Sequence, residues 1–477
     1  MGTIRTQLAV LGGGPGGYAA AFLAADLGMQ VTLIEQDPRL GGTCLLRGCI
    51  PSKALLHVAA ILSETAEMHE WGVEFPQPSI AIDRMRARKE KVIETLSGGL
   101  TQLARQRKVE VIHGQGVFID SQNLRVVGEQ DGVRQESRLI FEHCILATGS
   151  SPAKIPAFDL PTDRVMDSTG ALELRDIPES LLVVGGGYIG LEMGTVYAAL
   201  GTRVSVVELT DGLLPGADRD LVRPLHERLK RKFAAIHLKT KVAGLKDVGD
   251  AIEVTFDGPE GQAVERYSRV LVSVGRKPNS AGFGLENTRV QINQRGFVVV
   301  DKQQRTSDPH ILAIGDVAGE PMLAHKAAHE GKVAVEALHG EAATFEPAAI
   351  PAVVFTDPEI AWAGLTEEEA KRKNQVVEIA RFPWAASGRA QALGRTDGMT
   401  KMVLDPASER VLGVGIVGPG AGDLISEAVL AIEMGAVARD VTDSIHPHPT
   451  LSETVAFAAE TYFGTATDFY RPKRAHS

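Results

Sequence analysis

Three observations predict an α/β fold. A glycine triplet follows a short apolar strand and opens an apolar helix near the N-terminus. The same arrangement returns 173 residues later, and the last third of the chain mixes apolar strand-like stretches with amphipathic helices. Together they predict two Rossmann-like dinucleotide-binding units followed by an α+β module suited to dimerisation. The 477 residues suffice for about three domains. The boundaries we expect are 1–150 for the first part of one nucleotide unit, 151–273 for the second unit, 274–345 for a return to the first, and 346–477 for the interface module.

The first triplet is Gly12-x-Gly14-x-x-Gly17, after the strand Leu8-Ala9-Val10-Leu11 and before a helix from Tyr18 to Leu27. A second strand, Val31 to Ile34, ends at Glu35, eighteen residues beyond Gly17. The glycines permit a tight turn and let a pyrophosphate approach the helix N-terminus, while the acid can accept hydrogen bonds from ribose hydroxyls. Gly185-x-Gly187-x-x-Gly190 repeats every offset. Leu181 to Val184 precedes it, and Val204 to Val207 leads to Glu208. One glycine triplet is weak evidence. Two, each with strand, helix, second strand and acid in register, predict two nucleotide sites.

Between the two lies Gly41-Gly42-Thr43-Cys44-Leu45-Leu46-Arg47-Gly48-Cys49-Ile50-Pro51-Ser52-Lys53. Cys44 and Cys49 are two of only three cysteines. This is no disulfide-stapled scaffold, and no further Cys or His nearby completes a metal site, so we expect no metal. The pair reads as redox-active. Pro51 marks a helix start, whose orphan amides would lower a thiol pKa. A dithiol delivers two electrons, which a flavin can relay to nicotinamide. We therefore expect FAD at the first site and NAD at the second, where the Glu208 carboxylate would repel the 2′-phosphate of NADP. The third cysteine, Cys144, reads as a buried strand residue.

Composition narrows the partners. Hydrophobic residues make up 44% of the chain, enough for a large core, and the net charge of −10 with no long basic run argues against nucleic acid. The late Arg471, Lys473 and Arg474 read as a solvated tail. Arg84 to Lys91 reads as the solvated face of a long helix, and Glu367 to Glu369 as a helix start after Thr366. No signal region or uninterrupted apolar span stands out, so we expect a cytoplasmic protein with no membrane partner.

These residues resemble the flavin-dependent disulfide reductases over essentially the whole chain. Ala147-Thr148-Gly149-Ser150 is similar to the turn where that family leaves its FAD domain, and Val274-Gly275-Arg276-Lys277-Pro278-Asn279 to its return. Ala313-Ile314-Gly315-Asp316 resembles its second flavin motif, with the aspartate on the ribityl chain. His446-Pro447-His448-Pro449-Thr450-Leu451-Ser452-Glu453 resembles its acid–base segment. The resemblance implies Cys49 as the thiol facing the flavin and Cys44 as the exchanging thiol. It also implies His448 as acid–base with Glu453 as partner, and Lys53 paired with Glu192 beside the flavin. Flavin contacts are implied for Gly12, Gly14, Gly17, Glu35, Gly42, Thr43, Lys53, Gly116, Thr148, Gly149, Asp316, Met322, Leu323, Ala324 and His325. Nicotinamide-nucleotide contacts are implied for Gly185, Gly187, Tyr188, Gly190, Glu208, Val242 and Gly275. His446 is expected to be structural.

The implied partner is a second copy of the chain, which would donate His448 to its neighbour's cysteines. The branch most similar to this chain oxidises dihydrolipoyl groups carried by an acyltransferase or a glycine cleavage carrier protein. Several positions depart from the common pattern: Leu46 replaces an asparagine, Arg47 a valine, Tyr188 an aliphatic residue, and Ala328-His329-Glu330 stands where Glu-Asp-Glu is more common. Tyr188 keeps open an NADPH-dependent reductase of glutathione or another small disulfide. A non-catalytic flavoprotein scaffold or redox sensor would have lost catalytic residues, and all of them are present.

Overall fold

A computed structural model describes residues 2–130 and 133–470, and the basic tail from Arg471 lies outside them. The first sheet runs in the order Glu110–His113, Val31–Glu35, Gly2–Leu11, Val133–Leu146, all parallel, and Ile311–Ala313 pairs with the end of the last. Residues 8–11 and Val31–Glu35 at its centre are buried, as a parallel sheet with helices on its faces requires. Cys144 sits there with no exposed surface, opposite Ala9 across the ladder, and burial pushes its thiol pKa far up. The strands Asn123–Gln130 and Gln115–Asp120 extend the sheet antiparallel.

The second parallel sheet runs Ala235–His237, Arg203–Val207, Ser180–Val184, Arg269–Val272, Val165–Met166. A three-stranded antiparallel sheet, from Lys241–Asp247 to Gly261–Tyr267, covers its flank. The chain leaves the first sheet through Ser150–Pro152 and returns through Arg276–Pro278, and these two segments pair antiparallel. The C-terminal part is a five-stranded antiparallel sheet in the order Ala352–Val354, Ile360–Gly364, Val411–Val417, Met399–Leu404, Glu378–Pro383. Helices Ala421–Glu433 and Glu453–Phe463 pack on it, and Thr366 caps Glu367–Arg372 by accepting the Glu369 amide at 3.1 Å. Lys401, 1% exposed, joins this part to the second unit: its Nζ lies 2.5 Å from Asp218 Oδ2 and 2.6 Å from Asp220 Oδ1.

One expectation needs correction. The run from Arg84 lies in helix Ile82–Gln106 but is not all solvated. Lys89 Nζ donates to the Leu172 carbonyl at 2.7 Å, and burial lowers its pKa. The helical stretch Gly42–Trp71 is long and apolar enough, by length and composition alone, to cross a membrane. Here its backbone breaks at Gly48, and Leu55, Leu56 and Ala59 pack into a core shared with Leu191 and Val196 of helix Tyr188–Ala199. Its apolar character serves a helix–helix contact inside the protein.

Both glycine turns rely on one close approach. A Cβ at Gly17 would lie 1.8 Å from the Gly12 carbonyl oxygen, and one at Gly190 would lie 2.6 Å from that of Gly185. We expect Gly17→Ala to destabilise the protein by about 1–3 kcal/mol, the usual cost of overpacking. Thermal unfolding checks this, and an undiminished Tm would mean that the turn relaxes around the methyl group.

Candidate active site

Glu35 shows how each turn is built. Its carboxylate accepts the Gly13 amide at 2.7 Å through Oε2 and the Asp37 amide at 2.8 Å through Oε1. Glu208 repeats this on Gly186 at 2.6 Å and Thr210 at 2.8 Å. The acid at the end of the second strand therefore ties down the glycine loop before any ligand is considered. Burial raises the pKa of Glu35, against the pull of the two amides. A carboxylate oxygen has more than one lone pair, so each acid can still accept a ribose hydroxyl.

The first turn opens on a cleft of about 1680 Å3 including its mouth. Helix Pro15–Asp26 enters from one end with no side chain capping its first-turn amides. Opposite it, a Cβ at Gly42 would lie 2.6 Å from the Gly14 Cα, so two backbones meet with no side chain between them. This cradle fits an extended dinucleotide with its pyrophosphate on the helix N-terminus. Gly12, Gly14, Glu35, Gly42, Thr43, Lys53, Gly116, Thr148, Gly149, Asp316, Met322 and Ala324 all line the cleft. Gly17, Leu323 and His325 do not. Gly17 packs against the strand end, and His325 Nε2 lies 2.8 Å from the Pro351 carbonyl. Of the residues expected at the second site, Tyr188 alone lines this cleft, and burial pushes its pKa up to about 12. Gly185, Gly187, Gly190, Glu208 and Gly275 lie outside it. Val242 is packed among Phe158, Leu182 and Val184, and its strand pairs it with Phe256.

Cys44 lies on helix Gly42–Arg47, and Cys49 begins helix Cys49–Glu67. Both thiols are free and both line the cleft. Cys44 donates a hydrogen bond to the Cys49 sulfur, which splits the pair. Cys49 is lowered to about 7, chiefly by that bond and secondarily by Lys53, while Cys44 is driven far up. One turn on, Lys53 Nζ lies 2.8 Å and 3.1 Å from the two carboxylate oxygens of Glu192. Glu192 is buried in helix Tyr188–Ala199 and also accepts the Phe355 amide at 3.0 Å. The Phe355 ring lies beside the ammonium, 4.5 Å from Nζ to its centroid.

Sequence reasoning missed Phe355, which carries no motif signal of its own. It also missed the support beneath Asp316. Buried Glu330 accepts the Gly315 amide at 2.7 Å and pairs with buried Lys326 at 2.7 Å. The i,i+4 spacing of Lys326 and Glu330 was the available signal. Ser150 Oγ donates to Asp316, and Arg276 Nε donates to Ser150 Oγ at 2.7 Å, so the returning linker also braces the aspartate.

His448 Nδ1 lies 2.8 Å from Glu453 Oε1, and Glu453 Oε2 accepts the Thr450 amide at 2.8 Å. The buried carboxylate holds the proton on Nδ1 and leaves Nε2 free on a side chain that is 76% exposed. His446 is spent on structure, with Nε2 2.7 Å from Glu427 Oε1 and Nδ1 2.9 Å from the Ser444 carbonyl. His448 does not line the cysteine cleft of its own chain. Leu430, Met434 and Ile445, in the same C-terminal part as His448, are exposed apolar side chains.

Residues 6–331 match the model of the pyridine nucleotide-disulphide oxidoreductase family, and residues 350–459 match its dimerisation domain. The dihydrolipoyl dehydrogenase of Vibrio cholerae is 48% identical over 98% of both chains, and that of Geobacillus stearothermophilus 42% over 97% of both. Among solved structures, LpdA from Mycobacterium tuberculosis superposes with a TM-score of 0.87 at 28% identity, covering 95% of this chain and 99% of that one. The HOCl-induced flavoprotein disulfide reductase RclA from Escherichia coli gives 0.83 at 28%, over 94% and 98%.

Two expectations follow from the thiol and ion pairs. In the reduced protein, thiolate absorbance should rise as pH passes upward through about 7. Cys44→Ala should move that midpoint up, because it removes the donor that favours the Cys49 thiolate; an unmoved midpoint would show that Cys44 does not hold it. Glu192→Gln strands the Lys53 ammonium and should cost about 1–3 kcal/mol in urea unfolding.

Proposed function

The chain belongs to the pyridine nucleotide-disulphide oxidoreductase family, and from that premise we propose that it is a dihydrolipoyl dehydrogenase using FAD and NAD. The carrying observation is the split thiol pair, with Lys53 and Glu192 one turn away, opening on a cleft that fits a dinucleotide. Held by the turn at residues 12–17, Glu35, Gly42 and Thr43, FAD would supply a two-electron relay between the dithiol and NAD⁺. The finer partner assignment is our own: a dihydrolipoyl group carried by an acyltransferase or a glycine cleavage carrier protein, met by a homodimer in the cytoplasm.

The residues divide the work. In the oxidised enzyme Cys44 and Cys49 form a disulfide. His448 of one subunit takes the proton from a dihydrolipoyl thiol through Nε2, while Glu453 stabilises the imidazolium so formed. The substrate thiolate attacks Cys44, and the Cys44–Cys49 bond breaks with Cys49 leaving as thiolate. That is the easier departure, since its pKa is the lower of the two. The second substrate thiol then displaces Cys44, and the cyclic disulfide leaves. Lys53, held by Glu192 and Phe355, keeps a positive charge beside the Cys49 thiolate.

A homodimer accounts for the placement of His448. It sits away from the cleft of its own chain, in a part that matches a dimerisation domain and carries exposed apolar side chains. At the second site Glu208 disfavours a 2′-phosphate, which supports NAD over NADP.

The test is NADH formation from dihydrolipoamide and NAD⁺, with NADP⁺ in parallel. We expect turnover with NAD⁺ and little with NADP⁺. His448→Gln should lower kcat by about 10²–10⁴-fold without loss of bound flavin. Oxidation of NADPH by glutathione disulfide, with no turnover of dihydrolipoamide, would overturn the assignment and turn attention to Tyr188.

A further inference from the structure

Arg47 ends the short helix that carries Cys44, three residues on and so near the same helix face. Its guanidinium reaches back to the loop that follows Glu35. Nη1 lies 3.1 Å from Asp37 Oδ1, and Nη2 bonds Asp37 Oδ2. This two-pronged geometry is the strong form of an arginine–carboxylate pair. Asp37 is itself fixed on two sides. Its amide donates to Glu35 Oε1 at 2.8 Å, and its carbonyl lies 2.8 Å from His113 Nδ1. The side chains of Arg47 and Asp37 are 34% and 20% exposed, and both residues line the dinucleotide cleft.

The pair therefore joins two walls of the cleft: the redox loop on one side and the loop after the ribose-binding acid on the other. Glu35 marks the adenosine end. We propose that Arg47 and Asp37 form an ionic strap across the adenosine end of the FAD site, which must open before the cofactor can leave. Only a long side chain spans this gap. The valine more common at this position in the resembling family is too short to reach Asp37 and has no charge to offer it. The strap gives this chain a retention device of its own, additional to the glycine cradle, and it rests on the assignment of FAD to the first site.

The experiment is flavin release, followed as the rise in flavin fluorescence when the purified holoenzyme is diluted into flavin-free buffer at low and high salt. Wild type should release faster at high salt, since the partly exposed pair is screened. Arg47→Val and Asp37→Asn should each release about fivefold faster at low salt, the upper range for such a pair, and lose the salt dependence. Asp37→Asn keeps the shape of the loop and so reports on charge even where Arg47→Val disturbs the helix. The double variant should be no faster than either single one. Unchanged release in the single variants, or additive effects in the double, would overturn the strap. A wild-type protein that binds no flavin would instead overturn the cofactor assignment.

Discussion

The contact on which the site depends is the ion pair between Lys53 and Glu192. It joins the helix that starts at Cys49 to the helix that follows the second glycine turn, so it ties the redox loop to the second nucleotide unit. A buried carboxylate is costly unless its lone pairs are used. Glu192 uses them on the Lys53 ammonium and on the Phe355 amide, which brings in the C-terminal part as well. One side chain thus fixes three segments far apart in sequence around the sulfur of Cys49. The apolar packing of Leu55, Leu56 and Ala59 against Leu191 and Val196 holds the same two helices together beneath it.

The same economy appears in the two glycine turns. In each, the acid that is expected to meet a ribose already accepts one amide of its glycine loop and one from the residue two places after itself. Loop and acid are preorganised together, so the ordering entropy is met in folding rather than on binding. The turns differ in what lies beyond them. The first opens on a long cleft walled by the cysteine loop. The second has its sheet flanked by the antiparallel strands that bury Val242.

The thiols show how position converts two like groups into unlike ones. Cys44 donates and Cys49 accepts, with the helix start and Lys53 on the accepting side. The pKa values separate in the sense that suits an exchanging thiol and a leaving thiolate. His448 and Glu453 are equally prepared, but outside the cleft that these sulfurs line in their own chain.

Much of this was legible in the sequence because it depends on local spacing. Offsets of two and three residues between glycines, an acid eighteen residues on, a Cys pair with four residues between, and a His five residues before a Glu are constraints of turn and helix geometry. Local geometry is written in consecutive residues. The structure alone decided the rest: that Phe355 faces Lys53, that Lys326 and Glu330 brace the loop of Asp316, that Val242 is core, and that a helix apolar enough to resemble a membrane span buries one face against the helix after the second glycine turn. Each of these is a contact between segments brought together by the sheets. Their partners are chosen by the burial of apolar faces and the pairing of buried charge, and neither leaves a fixed spacing in the chain.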